Sequence, residues 1–180
     1  MAPEAPLERT EAGLVAAGEG WFVLNAVDAR WWHREGRSTV CDFEGKTDFP
    51  QVGTFIYVLG PGVPMAMYHW EADQEDFLVL SGEALLIVEG DERPLRQWDF
   101  VHCPPDAKHT IVGAGSTPCV VLAIGAREHQ AGPGWGGYPV AETALRQGAG
   151  VTEETNEPER AYAPFPKRET TPYREGWLPG

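Results

Sequence analysis

The histidines and carboxylates between positions 69 and 109 are the residues best suited to chemistry in this sequence. The chain has five histidines, and three of them, His69, His102 and His109, lie in this stretch together with Glu71 and Glu75. Imidazole and carboxylate groups are typical ligands of divalent first-row transition metals. The stretch therefore predicts a metal site, provided that the fold brings these side chains together.

The alternation of side chains along a strand favours bringing these groups together. In a strand over residues 65–71, His69 and Glu71 would share one face, because alternate residues point the same way. Glu75 begins the next predicted strand, and an antiparallel barrel can bring both strands close to His109. The apolar residues predicted to line the pocket on the same faces are Met65, Met67, Phe77, Val79 and Ile111.

Residues 21–126 contain the elements that must position these groups. Short runs rich in β-branched and aromatic residues are separated there by Gly, Pro or Asp, which is typical of strands. Short strands without long helical windows between them predict a sandwich or barrel. The predicted strands cover residues 21–26, 39–43, 54–59, 65–71, 76–80, 84–88, 93–98, 100–103, 109–112 and 119–124.

The segments on either side of this region have a different character. Residues 1–20 form an N-terminal arm in which Thr10 is a candidate cap for a helix over residues 10–17, with a frayed terminus as the alternative. Residues 127–180 predict a loop, a helix over residues 139–147 that Gly148 stops, and a tail. Because the tail is unusually aromatic, we expect it to wrap over the barrel or a partner subunit.

Charge and cysteine content narrow the classes of partner. The formal net charge is −13 and the pI is about 4.7, which argues against binding nucleic acid or anionic lipid. Three widely spaced cysteines do not predict a disulfide framework, and they favour a reducing compartment. The start lacks the segments of a signal peptide, and no apolar run suffices to span a bilayer. We therefore expect a cytoplasmic protein without nucleic-acid or membrane partners.

Two motifs resemble those of the cupin superfamily. The run His69-Trp-Glu71-Ala-Asp-Gln-Glu75, followed after six residues by Gly82, is similar to the first cupin motif. That motif reads His-x-His, three or four residues, Glu, six residues, Gly. The run from Trp98-Asp to Pro-Pro-Asp-Ala-Lys-His is similar to the second motif, in which Gly-Asp precedes Pro-x-Gly-x-x-His. The resemblance covers about residues 54–125.

The resemblance implies a fold and a set of ligands. The fold would be an all-β double-stranded β-helix, or jelly-roll barrel, to which this chain adds a short C-terminal helix and an extended arm. His69, Glu75 and His109 stand where the family has metal ligands, and Glu71 stands at the second His. The implied cofactor is one divalent transition metal, Fe, Mn, Zn or Ni, and the implied assembly is a homodimer.

Departures from the motifs leave alternatives open. Trp98 and Asp106 replace glycines, so we expect those turns to change in backbone geometry. With Glu71 as a ligand, the site has two histidines and two carboxylates. Without it, the site is a two-His-one-carboxylate centre with open positions, of the kind known in non-haem iron oxygenases, and Glu71 is then a neighbouring group or a general base. His102 is a candidate proton shuttle or a structural histidine.

The predicted function follows from this site. We expect a metal-dependent enzyme, either an oxygenase and thus an oxidoreductase, or an isomerase, that acts on a small organic molecule in the barrel. Glu71 and His102 are its candidate catalytic residues beside the metal. The alternative is a non-catalytic, metal-containing module that binds or senses a small ligand, because the cupin fold serves many functions.

Overall fold

The computed structural model describes residues 1–130 and 132–180, and strands predominate in it. Ala131, in the predicted C-terminal loop, lies outside the described residues. The strands are β1 (Leu7–Thr10), β2 (Gly13–Ala16), β3 (Arg30–His33), β4 (Thr39–Cys41), β5 (Val52–Leu59), β6 (Trp70–Glu71), β7 (Glu75–Ser81), β8 (Glu83–Val88), β9 (Asp91–Arg96), β10 (Phe100–Cys103), β11 (His109–Ala114), β12 (Cys119–Ala126), β13 (Gly136–Gly137) and β14 (Glu169–Pro172). The helices are α1 (Glu142–Arg146) and α2 (Pro158–Ala161).

Two antiparallel sheets form the barrel. The larger sheet has the order β10-β7-β12-β5-β4-β3-β14, and the smaller has the order β11-β8-β9. Phe77 and Val121 of the larger sheet and Leu86 and Ile111 of the smaller one are buried in a single apolar cluster. Burying side chains of this size contributes roughly 1.5–3 kcal/mol each, so the shared core holds the sheets together. The predicted all-β jelly-roll barrel is confirmed.

The strand predictions succeed in the barrel and fail around residue 65. From β7 to β12, the observed ends lie within two residues of the predicted ones. The strand predicted for residues 65–71 is wrong, because only Trp70–Glu71 is regular. Isolated bridges at Pro64 and His69 flank a bent segment, and Tyr68 donates its backbone N–H to Ala149 instead of to a neighbouring strand. The strand predicted for residues 21–26 is also wrong, since it has only an isolated bridge at Trp21.

The N-terminal arm is a β-hairpin, so both the predicted helix and the frayed alternative are wrong. Strands β1 and β2 pair antiparallel from Leu7↔Ala16 to Thr10↔Gly13. The Thr10 hydroxyl donates to the Gly13 carbonyl at 2.8 Å and accepts from the Ala12 N–H at 3.2 Å. Threonine is a common helix cap, but the short hydroxyl of Thr10 can bond to nearby backbone groups in a turn as well as at the start of a helix. Here it closes the turn of the hairpin.

The C-terminal tail packs on the barrel of its own chain. Strand β14 adds to the edge of the larger sheet by pairing with β3. Next to it, Tyr173 and Trp177 pack against the buried Trp31, with ring centroids 6.1 and 5.2 Å away. Helix α1 covers Glu142–Arg146, the centre of the predicted helix. No helix in the described parts of the chain is long and apolar enough to cross a membrane.

The two residues that replace motif glycines keep a left-handed backbone. The φ angle is 75° at Trp98 and 69° at Asp106, values that glycine adopts without strain. The expected change in the geometry of these turns is therefore not seen. The side chains tolerate the strained conformation at the surface, where both residues are exposed.

Replacing Trp98 with glycine is expected to raise the free energy of unfolding by about 1 kcal/mol, because a non-glycine residue in this conformation costs about 1–2 kcal/mol and the flexible unfolded chain offsets part of the gain. Phe100→Gly is the matched control, since Phe100 is equally exposed but lies in β10. The control should destabilise the protein. Urea denaturation of both variants measures the difference. A loss of stability in Trp98→Gly as large as that in Phe100→Gly would contradict this account.

Candidate metal centre

His69 and His109 face each other across an isolated antiparallel bridge. The His69 N–H donates to the His109 carbonyl at 3.1 Å, and the His109 N–H donates back at 2.8 Å. Their ring centroids lie 4.9 Å apart, and both residues are buried. The bridge therefore fixes the two imidazoles side by side without the regular strand that the sequence predicts.

Glu75 completes a compact group with these histidines. It opens β7 in the larger sheet, where Cys103 of β10 and Gly125 of β12 lie opposite. Its Oε2 atom is 3.2 Å from His109 Nε2 and 3.5 Å from His69 Nε2. One ligand-type atom from each of the three residues lies within 4.8 Å of the others. The structure thus brings together three of the four residues predicted as ligands.

Backbone carbonyls fix which ring nitrogen faces the cluster. His69 Nδ1 is 2.8 Å from the Met67 carbonyl, and His109 Nδ1 is 2.9 Å from the Ala107 carbonyl. A carbonyl only accepts hydrogen bonds, so each Nδ1 must carry a proton and donate it. In the neutral ring, Nε2 then carries a lone pair directed toward Glu75. Such an outer hydrogen bond is typical of histidines that bind metals.

Two atoms of the cluster lack any hydrogen-bond partner among the described residues. They are Glu75 Oε2 and His109 Nε2, and both are buried. Burying polar atoms without partners is costly, and native structures rarely do it without an ion or water. The chemistry of the group, two imidazoles and one carboxylate, therefore fits a divalent transition metal.

Two carboxylates keep positive charge on the imidazoles. Burial lowers the pKa of His69, but the nearby carboxylates of Glu71 and Glu75 outweigh this effect and raise the pKa to about 10. Burial also lowers the pKa of His109, while contacts with Cys103 and Glu75 raise it to about 9. Burial raises the pKa of Glu75, yet the two imidazoles hold it well below its usual value. The cluster therefore favours positive charge, which a divalent cation supplies in place of ring protons.

Glu71 stands beside this group but outside it. Its Oε1 atom is 3.6 Å from His69 Nε2, and its side chain is 23% exposed, whereas that of Glu75 is 16% exposed. Glu71 lies in β6, where Gly136 of β13 pairs with it. A side chain at Gly136 would meet the Trp70 carbonyl at 2.8 Å, so this close pairing requires glycine. Glu71 also lines the cavity that opens beside the cluster.

His102 lies on the outer surface of the barrel. Its position in β10 pairs with Asp76, and its Nδ1 atom is 2.7 Å from Asp76 Oδ1. The side chain is half exposed and does not line the cavity next to the cluster. In β10 alternate side chains point outward, and Cys103 rather than His102 points inward, so the structure places His102 away from the site for which its catalytic role was predicted.

A cavity of about 190 Å³ opens beside the cluster. Of the predicted lining residues, Met65 and Phe77 contribute to its wall. Val79 and Ile111 do not, because they are fully buried in the core between the sheets. Met67 does not either, since the bend before His69 turns it toward the C-terminal segment, where it packs against Tyr138, Val151 and Ala161.

Aromatic residues outside the motifs supply much of the wall. Tyr57 lies on β5, while Tyr138 and Tyr162 come from the C-terminal segment. The Tyr138 ring stacks on His69 with centroids 6.0 Å apart. Burial raises the pKa of Tyr57, Tyr138 and Tyr162, so all three phenols are neutral at physiological pH. The aromatic character of the tail was a sequence signal for Tyr162, whereas Tyr138 precedes the predicted helix and carried no such signal.

Arg127 also lines the cavity, but its charge is already neutralised. Its Nη1 pairs with the buried Glu44 and donates to the Phe49 carbonyl at 2.8 Å. The cavity therefore offers a ligand mainly carboxylate, phenol and aromatic surfaces. With a metal bound by three residues, open coordination positions would face this space.

Comparison with known proteins gives structural neighbours of low overall similarity. No curated protein matches the chain significantly in sequence. A protein provisionally described as a sugar phosphate isomerase from Acidithiobacillus ferrooxidans is 34% identical over 43% of this chain and 51% of its own, with a TM-score of 0.41. A sugar phosphate isomerase of the cupin superfamily from Silicibacter pomeroyi is 22% identical over 50% and 59%, with a TM-score of 0.45. The matched region thus spans only about half of the length of these two proteins.

The barrel itself has a clear family assignment. A cupin 2 conserved barrel domain protein from Salinispora arenicola is 19% identical over 61% of this chain and 89% of its own, with a TM-score of 0.47. The family model of the cupin domain matches residues 55–125, which include both motifs and all three residues of the cluster. Residues 55–125 are therefore identified as a cupin domain by their match to this family model.

Proposed function

We propose that His69, Glu75 and His109 bind one divalent transition metal, and that the protein is a metal-dependent enzyme of the isomerase type. The observation that carries this proposal is the convergence of three ligand atoms, from two buried histidines and a half-buried glutamate, within 4.8 Å at the wall of a cavity. When bound, the metal would act as a Lewis acid toward an oxygen of the substrate. The residues of the chain itself then determine which reaction follows.

Glu71 is the residue that favours proton transfer. Its carboxylate faces the cavity beside the cluster, within 3.6 Å of His69 Nε2, and is not part of the compact group. A carboxylate placed next to a polarised carbonyl is suited to take a proton from the adjacent carbon. Glu71 can return the same proton to the neighbouring carbon, while the hydroxyl proton of the substrate moves to the former carbonyl oxygen. The reaction therefore gains or loses no proton and no electron overall. We therefore assign Glu71 as the general base.

The phenols are suited to orient the substrate. Tyr57 and Tyr138 are neutral because burial raises the pKa of both hydroxyl groups, and neutral phenols donate hydrogen bonds to hydroxyl or carbonyl oxygens. Together with Tyr162 they surround the cavity next to Glu71. Ordering the substrate in this way places its carbon-bound proton close to the base.

The cavity limits the size of the substrate. Its volume of about 190 Å³ is below the roughly 300–1,000 Å³ of sites for drug-sized ligands. A hydroxyaldehyde or hydroxyketone of a few carbons matches both the size and the chemistry. These compounds carry an oxygen that a metal binds and an acidic carbon-bound proton for Glu71.

The test uses NMR to monitor hydrogen exchange with D2O in a panel of small hydroxyaldehydes and hydroxyketones that are incubated with metal-loaded protein. We expect exchange or isomerisation of at least one compound, lost on treatment with a chelator. An oxygen electrode should show no O2 uptake in the same mixtures. Uptake of O2 without hydrogen exchange would contradict the proposal in favour of an oxygenase. Tight binding of a panel compound with neither reaction would contradict it in favour of a ligand-binding module.

A further inference from the structure

A second cleft adjoins the metal cavity and is lined by three arginines. It has a volume of about 320 Å³ and shares Tyr57, Met65, Ala66 and Tyr162 with the wall of the first cavity. Arg34, Arg37 and Arg168 line it, and no carboxylate does so among the described residues. In a chain with 27 acidic and 14 basic residues, such a concentration of positive charge runs against the overall composition.

Arg37 is the central feature of this cleft. The residue is only 6% exposed, and its Nη2 atom donates to the Met67 sulfur at 2.7 Å. Its Nε and Nη1 atoms are buried and have no hydrogen-bond partner within residues 1–130 and 132–180. Burial lowers the pKa of Arg37, but a guanidinium stays protonated at neutral pH. A buried charge with two unused donors is costly unless an anion completes it.

The contacts of Arg37 with its surroundings do not supply that anion. Its guanidinium lies 3.8 Å from the centroid of the Phe165 ring, which is a cation–π contact. No acidic side chain in the described part of the chain lies within 4.0 Å of it, in contrast to the buried Arg127, which pairs with Glu44. Of these two buried arginines, Arg127 is therefore paired with a carboxylate, whereas Arg37 lines the cleft without a carboxylate partner in the described part of the chain.

Aromatic rings hold the two other arginines at the cleft. The Arg34 guanidinium lies 4.8 Å from the centroid of Tyr162, and the Arg168 guanidinium lies 4.6 Å from that of Trp32. Arg168 approaches Asp42 only to 4.0 Å, which is the limit of an ion pair. Stacking against a ring leaves the N–H groups at the edge of a guanidinium free to donate.

The topology explains why distant residues meet here. Arg34 and Arg37 form the turn between β3 and β4, in which the Arg37 N–H donates to the Arg34 carbonyl at 3.0 Å. Arg168 directly precedes β14, and β14 pairs with β3 at the edge of the larger sheet. The C-terminal segment therefore closes the cleft over a turn that lies more than a hundred residues earlier in the chain.

We propose that this cleft binds the carboxylate or phosphate group of a small organic anion. Guanidinium groups match both oxyanions, because they offer several parallel donors and a permanent charge. Arg37 supplies the buried donors, and Arg34 and Arg168 supply charge at the entrance. The site goes beyond the metal centre and does not depend on it.

The test is calorimetric titration of the protein, as purified and after treatment with a chelator, with inorganic phosphate and with malonate. We expect at least one of them to bind in both preparations, and the stronger of the two identifies the anion. Arg37→Met should weaken this binding at least about tenfold, because it removes the buried donors. It should also raise the melting temperature in buffer without these anions, since it replaces an unpaired buried charge with an apolar side chain next to Phe165.

Arg9→Met is the matched control, because it removes one positive charge from an exposed residue of the hairpin that does not line the cleft. If Arg9→Met and Arg37→Met weakened anion binding equally, the effect would reflect only the net charge of the protein. That result would overturn the proposal. Absence of binding of both anions at 10 mM (roughly 2.7 kcal/mol of binding free energy) would also overturn the proposal. Arg34→Met provides a second readout from a half-buried residue, so failure of Arg37→Met to fold does not leave the cleft untested.

One further variant distinguishes anion binding in the cleft from anion binding at the metal site. His109→Ala should keep the anion binding of the wild type. Loss of anion binding in His109→Ala with full binding in Arg37→Met would place the anion on the metal and overturn the proposal. Failure of the proposed isomerase reaction leaves these outcomes unchanged, because the titration does not require turnover.

Discussion

Replacing His109 with alanine is expected to weaken the binding of a divalent transition metal at least about a hundredfold. Loss of a residue that only orients a ligand already costs about 10–100-fold, and His109 supplies a buried ring nitrogen itself, 3.2 Å from Glu75 Oε2. Titration with Co2+ or Zn2+ measures the affinity. At a metal concentration a hundred times the wild-type Kd, binding stabilises the wild type by about 2.7 kcal/mol, and the variant should lose nearly all of this gain.

His102→Ala is the matched control for this experiment. His102 lies near His109 in sequence, but its side chain points outward and contacts Asp76. We expect unchanged metal affinity in this variant. The change in melting temperature on adding metal, compared between variants, separates loss of metal from a general loss of stability. Equal effects of His102→Ala and His109→Ala on metal affinity would contradict the assignment of the ligands.

Replacing Glu71 with glutamine is expected to lower the rate of hydrogen exchange at least about a hundredfold while leaving metal bound. General-base catalysis contributes about 10²–10⁴-fold, and an amide cannot accept the proton. The shape of the side chain is kept, so the cavity and the pairing of β6 with Gly136 should persist. Exchange rates by NMR, together with metal content by elemental analysis, give the two readouts.

Glu83→Gln is the corresponding control, because Glu83 is exposed at the start of β8 and lies outside the cavity. It should leave both exchange and metal content unchanged. A Glu71→Gln variant that loses metal as completely as His109→Ala would make Glu71 a fourth ligand. A variant that keeps full exchange would remove Glu71 from the reaction.

The core of the site was predictable from the sequence because local rules govern it. Alternation in β7 places Phe77 inside and Asp76 outside, so Glu75 falls on the inner face. The spacing of the two motifs then links Glu75 to His69 and His109, and the structure brings these three residues together. Alternation also gives the position of His102 in β10, but the choice of face required the register with β7.

Other parts of the site depend on contacts between distant segments, which no periodicity reveals. The bend at residues 65–69 arises because Tyr68 and Met67 donate their backbone N–H groups to Ala149 and to the Tyr162 hydroxyl, not to a strand. Tyr138 reaches His69 through the pairing of β13 with β6. A strand pattern read from the local sequence therefore placed Met67 at the wrong surface.

The arginine cleft could not be predicted from the sequence either, because it also depends on contacts between distant segments. Arg34, Arg37 and Arg168 look like ordinary surface residues in the sequence, and the net charge of −13 gives no indication of an anion site. Only the pairing of β14 with β3 brings Arg168 to the turn between β3 and β4. Only burial distinguishes Arg37 from exposed arginines. The global charge argues against polyanions such as nucleic acid, but it does not exclude a small anion.

Metal content is the most direct test of the metal centre. Elemental analysis of freshly purified protein, followed by titration of chelator-treated protein with Fe2+, Mn2+, Ni2+, Zn2+ and Co2+, measures it. We expect close to one transition metal per chain, in purified or reconstituted protein, and loss of that metal in His109→Ala. Protein that contains no transition metal, binds none of the five ions and shows no thermal shift with any of them would contradict this expectation.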